Sequence, residues 1–302
     1  MVHTLTKLAL SLAIALAQGQ ALALTVFACE PEWAALTRAL LPGAKVYSAT
    51  HHLQDPHHIE ARPSLIAQLR NADMAVCTGA ELEAGWLPML QAKAGNAKIQ
   101  NGQPGMFYAA DHVTLLNPFK GLVTPFSGDV HVMGNPHVHA DPQRMLMVAK
   151  ALASRLMAIA PREKTRIEEN LKVFESTMTG KIQAWEELAS ALKGRAVITQ
   201  HASFGYLWHW LGITPMADLE PKPGVPPTPA HLARTLQLGQ SQRPMAIVIA
   251  QHHDPKPAKW LSGQMGNSPA LLILPATVTD VQADAWFRWF DLLINRLVQA
   301  AP

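Results

Sequence analysis

Pro161–Gly194 reads PREKTRIEENLKVFESTMTGKIQAWEELASALKG. Pro161 suits the first turn of a helix, where a missing N–H costs nothing, and Glu163 meets the positive end of the helix dipole. Ile167, Leu171, Phe174, Met178, Ile182, Trp185 and Leu188 then recur at steps of three and four, drawing one apolar stripe along a single long helix. About 30 residues of helix span about 45 Å at 1.5 Å each. That is long for a helix inside one small domain and suits a strut between two.

The chain on either side carries one rhythm. Before the strut, LTVFAC, KVYSAT and ADMAVCTG read as strands and PEWAALTRALL, SLIAQLRNA and ELEAGWLPMLQAK as helices. After it, RAVITQ, ITPMADLE, MAIVIAQ and ALLILPAT read as strands. SFGYLWHWLG, TPAHLARTLQLG, PKPAKWLSGQMG and the closing DVQADAWFRWFDLLINRLVQA read as helices. Short apolar runs alternating with helices predict parallel sheets covered on both faces. The expected fold is α/β, two doubly wound lobes over residues 24–160 and 195–302, joined by the long helix of 161–194. Residues 100–127 are turn-rich and yield no clear element.

The 302 residues are 49% hydrophobic and 16% charged, the balance of a folded chain with sizeable cores. A net charge of +3, with Lys and Arg scattered, gives no basic face for nucleic acid. Residues 1–23 read as an export signal. His3 and Lys7 precede the apolar run LALSLAIALA, then come QGQ and an A-x-A site at Ala21–Ala23. The run is shorter than the roughly 20 apolar residues of a membrane anchor. Lipid attachment at Cys29 is the other option, but Phe27 fits that box poorly. The expected location is the periplasm, where disulfides persist. Cys29 and Cys77 each end a strand-like run, and first and third strands are often neighbours in a doubly wound sheet. A disulfide is the favoured reading, two buried thiols the alternative, and the lack of CxxC spacing argues against a metal pair.

The unusual count is 14 histidines. Gly128–Pro142, GDVHVMGNPHVHADP, holds His131, His137 and His139 on a loop broken by Gly134, Asn135 and Pro136. Asp141 and Pro142 then suit the N-cap and first position of a helix. His51, His52, His57 and His58 follow KVYSAT, His201 follows AVITQ, His252 and His253 follow MAIVIA, and Asp280 follows LLILPATVT. Ligands of parallel α/β sheets bind beyond the carboxyl ends of the strands, which is where these groups fall. Neutral imidazole and carboxylate are the ligands that tetrahedral Zn²⁺ takes. His3, His209 and His231 read as surface or packing residues, and Asp55 and Asp141 as turn and cap residues.

DPHHIEARPS, LRNADMAVCTGAELEAGW, GNPHVHADP and TQHASFGYLWHWLGI, in that order, resemble the solute-binding receptors of zinc and manganese ABC importers. The resemblance runs over nearly the whole mature chain. It implies a metal held by His57, His137 and His201, one from each motif, with a late acidic residue as the fourth ligand. Asp280 occupies that region, and His253, His252 or a water are the alternatives. His58, His131 and His139, with His51, His52 and His112, remain as outer-shell or rim groups. Receptors of the manganese type usually offer a carboxylate where this chain has His201. Imidazole-rich sites suit zinc, so Zn²⁺ is expected ahead of Mn²⁺. The implied partner is a membrane permease, and the expected state a monomer.

A zinc hydrolase would need an open coordination position and a general base. Glu30, Glu60, Asp254 and Glu220 are the available carboxylates, but none lies in a zinc-enzyme motif, and no GxSxG is present. A binding protein, not an enzyme, is the expected class. An exported zinc chaperone or buffer would keep the same site and differ only in its partner.

Overall fold

The computed structural model describes residues 23–124, 127–266 and 268–301. The expected export segment, His3 included, lies outside these residues apart from Ala23. The first lobe runs β1 (Thr25–Ala28), α1 (Pro31–Leu40), β2 (Lys45–Ser48), α2 (Pro63–Arg70), β3 (Met74–Cys77), α3 (Leu87–Ala94) and β4 (Met106–Tyr108). Two helices follow, α4 (Pro142–Ile159) and α5 (Lys164–Leu188). The second lobe runs β5 (Ala196–Thr199), α6 (Gly205–Leu211), β6 (Thr214–Asp218), α7 (Pro229–Gln242), β7 (Ala246–Ala250), α8 (Lys256–Gln264), β8 (Ala270–Leu274) and α9 (Ala285–Ala300).

Every strand pair is parallel, and the two sheets share one topology, β2-β1-β3-β4 and β6-β5-β7-β8. The two-lobe α/β architecture read from the alternation is therefore present. In each sheet the chain winds one way from the inner strand, then crosses back over it. The switch points lie between β1 and β3 and between β5 and β7, where parallel sheets open a crevice at their carboxyl ends. Central strands β3 and β7 are buried along their whole length, as their unbroken apolar runs require. Pro215, which cannot donate to a ladder, sits on edge strand β6, where the register shifts. Pairing of β1 with β3 brings Cys29 and Cys77 together, with Cα atoms 4.8 Å apart, and they form a disulfide.

Helix α5 has 25 residues, about 37 Å of helix, and is flanked by short 3₁₀ turns at Pro161–Glu163 and Ser190–Leu192. Ile167, Phe174, Met178, Ile182 and Trp185 are buried as the stripe requires, whereas Leu188 is 46% exposed. Two successive three-residue steps carry Leu188 about 120° around the helix from Ile182, off the buried face. Each lobe has a smaller apolar cluster of its own, and the largest cluster bridges the two. One apolar cluster runs from Val26, Trp33 and Met74 through α4 and α5 to Val197, Trp286 and Phe290.

Two other departures have local causes. The segment expected to be helical from Glu81 begins its helix at Leu87, because Gly79, Ala80 and Glu81 all take positive φ (79°, 48° and 70°). Pro88 marks the real first turn. Strand β4 lies inside the unassigned stretch of 100–127, and its three residues are too few to show a period.

Candidate metal centre

Three loops from the sheet edges converge at the crevice. The loop after β2 brings His57, the turn before α4 brings His137, and the end of β5 brings His201. All three are buried, and each offers a ring nitrogen within 4.8 Å of those of the other two. Ring centroids lie 5.6 Å apart for His57–His137, 5.1 Å for His57–His201 and 5.3 Å for His137–His201.

The DPH and NPH motifs prove to be one device used twice. The Asp55 Oδ1 accepts the His57 backbone N–H at 3.0 Å and lies 2.6 Å from its ring Nδ1. The Asn135 Oδ1 does the same for His137, at 2.9 Å and 2.7 Å. An Asx side chain that captures the second residue on closes a tight turn, and the intervening proline fixes the φ that turn needs. Each motif therefore sets backbone and imidazole with a single oxygen. The third histidine is held by other means. Asp218 at the end of β6 accepts the His201 N–H at 3.1 Å and the Glu220 N–H at 2.8 Å, and Glu220 Oε2 lies 3.0 Å from His201 Nδ1. His201 itself is at φ 65°, a conformation few side-chain-bearing residues adopt, and such strain concentrates at functional sites.

These oxygens decide the tautomers. Asp55, Asn135 and Glu220 each take the Nδ1 proton of their histidine, which leaves Nε2 unprotonated in the neutral ring. The His201 Nε2 is buried with no hydrogen-bond partner. Three oriented imidazoles, each backed by an acceptor on its other nitrogen, are the donor set and outer shell that a zinc-type ion takes. A lone buried acceptor with nothing to accept is what a cation would satisfy.

Electrostatics differ among the three. Burial and the neighbouring His201 and His57 push His137 well below the ordinary imidazole range, so it is neutral at pH 7. Burial works against a charged His201, but Glu220 on its Nδ1 outweighs that and raises it. Burial likewise opposes ionisation of Asp55 and Glu220, yet the histidines they hold bring both below the usual carboxylate range.

The two lobes meet directly at this site. The Asn135 amide donates to the Ala202 carbonyl at 2.9 Å, and the Tyr206 hydroxyl donates to the Asn135 carbonyl at 2.7 Å. Gly205 lies so close that a Cβ there would stand 2.7 Å from the Asn135 amide nitrogen. The glycine in SFGY is needed for that approach.

The remaining histidines are placed as follows. His131 Nε2 is 3.2 Å from His57 Nε2, and burial with the nearby His57 pushes its ring down to about 3. His139 is buried between lobes, with Nε2 2.9 Å from the Ala276 carbonyl and Nδ1 3.3 Å from Glu32. His58 is exposed beside Asp129. His253 has its ring 6.2 Å from that of His201, and His252 packs on His253 at 4.4 Å. His112 stacks on Phe107, His209 is exposed and His231 bonds the Asp218 carbonyl. The structure does not bring Asp280 to the three imidazoles. Its half-exposed carboxylate accepts Arg288 at 2.7 and 2.8 Å and the Gln282 N–H at 2.9 Å.

Comparison with known proteins agrees with this picture. A family model described as zinc-uptake complex component A, periplasmic (ZnuA), matches residues 26–300. The high-affinity zinc uptake system protein ZnuA of Yersinia pestis is 24% identical over 183 residues, 57% of this chain and 58% of that protein. The zinc-binding lipoprotein AdcA of Streptococcus pneumoniae is 24% identical over 246 residues, 80% of this chain and 48% of that protein. The chain thus spans about half the length of these relatives. A crystal structure of ZnuA superposes with a TM-score of 0.76 at 18% identity, covering 93% of this chain and all of that one.

Proposed function

The chain belongs to the zinc-uptake complex component A family, and from that premise we propose that it captures Zn²⁺ between its lobes for delivery to the permease of an ABC importer. The observation that carries the reading is the convergence of His57, His137 and His201 with every Nδ1 taken by an oxygen, so that each neutral ring keeps its Nε2 lone pair for a cation. Neutral imidazoles favour zinc over manganese, which prefers oxygen donors. Residues 24–160 and 195–302 serve as the two jaws and 161–194 as the strut. Residues 1–23 serve as an export signal, which puts the mature protein in the periplasm as a monomer.

A hydrolase would route a carboxylate to a metal-bound water. Glu220 instead holds His201, Glu30 is bonded to Thr78, and Glu60 and Asp254 are exposed. The same site would serve an exported buffer, and binding to the permease separates the two.

The test is metal content by elemental mass analysis after stripping and re-exposure to equal Zn²⁺ and Mn²⁺, with His137→Ala alongside. One zinc per chain, lost in the variant, supports the reading. Manganese in its place overturns the cargo, and zinc retained by His137→Ala overturns the site.

A further inference from the structure

Each Asx turn fixes its histidine within the turn, but not the turn within the protein. We propose that Trp86 is the positioning residue that seats the DPH turn, and so sets the reach of His57 toward a bound cation. This rests on the zinc-binding reading of His57, His137 and His201.

The first argument is where the loop is held. Its root is fixed to the sheet: the Ala49 N–H donates to the Ala28 carbonyl at 2.8 Å and the Thr50 hydroxyl to the Cys29 carbonyl at 3.0 Å. Several of its further bonds close on the loop itself. The His51 N–H donates to Gln54 Oε1 at 3.1 Å, the Gln54 N–H to the His51 carbonyl at 2.9 Å, and the His58 N–H to the Asp55 carbonyl at 3.2 Å. At the tip, the Trp86 indole N–H donates to the Pro56 carbonyl at 2.8 Å. Gly85 comes so close to the His57 carbonyl that a Cβ there would stand 3.2 Å from it. Two successive residues of one segment thus seat two successive residues of the turn.

The second argument is the contrast with NPH. There the Pro136 carbonyl accepts the Val138 N–H of its own turn at 2.7 Å, and Asn135 ties the turn to Ala202 and Tyr206. In DPH the proline carbonyl is taken by Trp86 instead. A carboxylate has no N–H to give, so Asp55 cannot make the bond that the Asn135 amide makes to Ala202. The anchor of this turn has to come from another residue, and Trp86 supplies it.

The third argument is that the seat is rigid. Trp86 is 1% exposed and belongs to the first lobe's own apolar cluster, with Ile59, Leu65 and Cys77. The buried Glu83 staples the segment ahead of it. Its carboxylate accepts the Thr78 N–H at 2.6 Å and the Gly79 N–H at 3.0 Å, and its carbonyl accepts the Trp86 N–H at 3.1 Å. Metal–ligand distances tolerate errors of only about 0.2 Å. A turn freed from this seat loses affinity even though its ring keeps the right tautomer.

The test uses the mature protein, with zinc affinity from chelator competition and nitrogen NMR of the histidine rings in the metal-free state. A cooperative thermal melt establishes that a variant is folded. Trp86→Phe keeps an aromatic ring and removes the N–H. Its zinc affinity should fall about tenfold, the lower end of what loss of an outer partner costs. Its His57 ring signals should move while those of His137 and His201 stay. Gly85→Ala leaves Trp86 in place and presses on the turn, and it decides the matter, with the same expected pattern, if Trp86→Phe does not fold. Wild-type affinity in the deciding variant overturns the proposal. So does a loss of affinity with the His57 ring unmoved, or with all three rings moving alike, the mark of a general loosening. Zinc retained at full affinity by His137→Ala overturns instead the three-histidine reading beneath it.

Discussion

Glu220→Gln isolates the charge behind His201 while keeping an oxygen in place. His201 and Glu220 side chains are 6% and 8% exposed and meet at 3.0 Å. The glutamine oxygen can still accept from His201 Nδ1 and from the Gly224 N–H, so what changes is the carboxylate charge. A hydrogen bond to a charged group is worth about 1.5–3 kcal/mol and a neutral one about 0.5–1.5, a difference near 1–1.5 kcal/mol. That converts to roughly a 5- to 15-fold loss of zinc affinity at pH 7.5. The same carboxylate raises the proton affinity of His201, so the variant should also feel proton competition at lower pH than the wild type. The two effects oppose each other on acidification. The affinity ratio should be widest near pH 7.5 and shrink toward pH 5.5. Competition against a chromophoric chelator across that range reads both effects. Equal affinities at pH 7.5, or a ratio that does not change with pH, would refute the assignment of Glu220 as the electrostatic brace of the third ligand.

For the wild type, zinc affinity should fall on acidification, starting with His201, whose folded pKa lies above 6.5, at about tenfold per proton per pH unit, and fall steeply below about pH 6; affinity that stays flat from pH 7.5 to 5 would exclude a histidine site. Burial raises the Glu30 carboxyl strongly, helped by Glu83, while Glu83 accepts the Thr78 and Gly79 N–H groups and is the member better able to stay ionised. A raised folded pKa gives stability that is complete below the unfolded value near 4.5 and is lost as pH rises through the folded one. Glu30→Gln should therefore flatten the fall in metal-free melting temperature between pH 5 and 8. The Cys29–Cys77 bridge closes a separation of 48 residues, worth about 4 kcal/mol by loop entropy. Reduction, or Cys77→Ser paired with Cys29→Ser, should lower the denaturant midpoint correspondingly, and an unchanged midpoint would count against that estimate.

The alternation of short apolar runs and helices made both sheets legible, because burial on two faces leaves no other way to write a central strand. β4 escaped because three residues cannot show a period. The late start of α3 was visible in Pro88, but nothing in GAE announces three consecutive residues at positive φ. At the site, DPH and NPH could be located from sequence as loops carrying histidine, yet their equivalence as turns that orient the ring belongs to side-chain geometry. Asp280 follows a strand and fills the place where the resemblance implies a late acidic ligand. Its sequence neighbourhood gave no warning that Arg288, eight residues on, would take its carboxylate. His131 sits only three residues before Gly134, and its approach to His57 depends on Glu81 and Pro223, residues 50 and 92 positions away, whose influence no local pattern carries.

How a bound ion would leave is limited by where the lobes are joined. A hinge that opens the crevice would have to separate surfaces that share one core, in which α5 touches α1, α4 and α9, and Trp33 lies against Trp286. The Trp286 indole also donates to the Glu32 carbonyl, Thr277 bonds the Glu32 carboxylate, and Arg38 reaches the Val281 carbonyl. Parting these groups would expose buried aromatics at about 25 cal/mol per Å² and strand buried polar partners. The 128–132 loop is held by contacts of another kind, isolated hydrogen bonds from Asp129 to Pro223 and from Val132 to Glu81, and its Val132 is exposed. Free energies of local opening are lowest where few apolar contacts are broken. Movement of the 128–132 loop therefore costs far less than movement of a lobe. It would open the side of the site beside His131 and release the Asp129–Pro223 contact near Glu220 together.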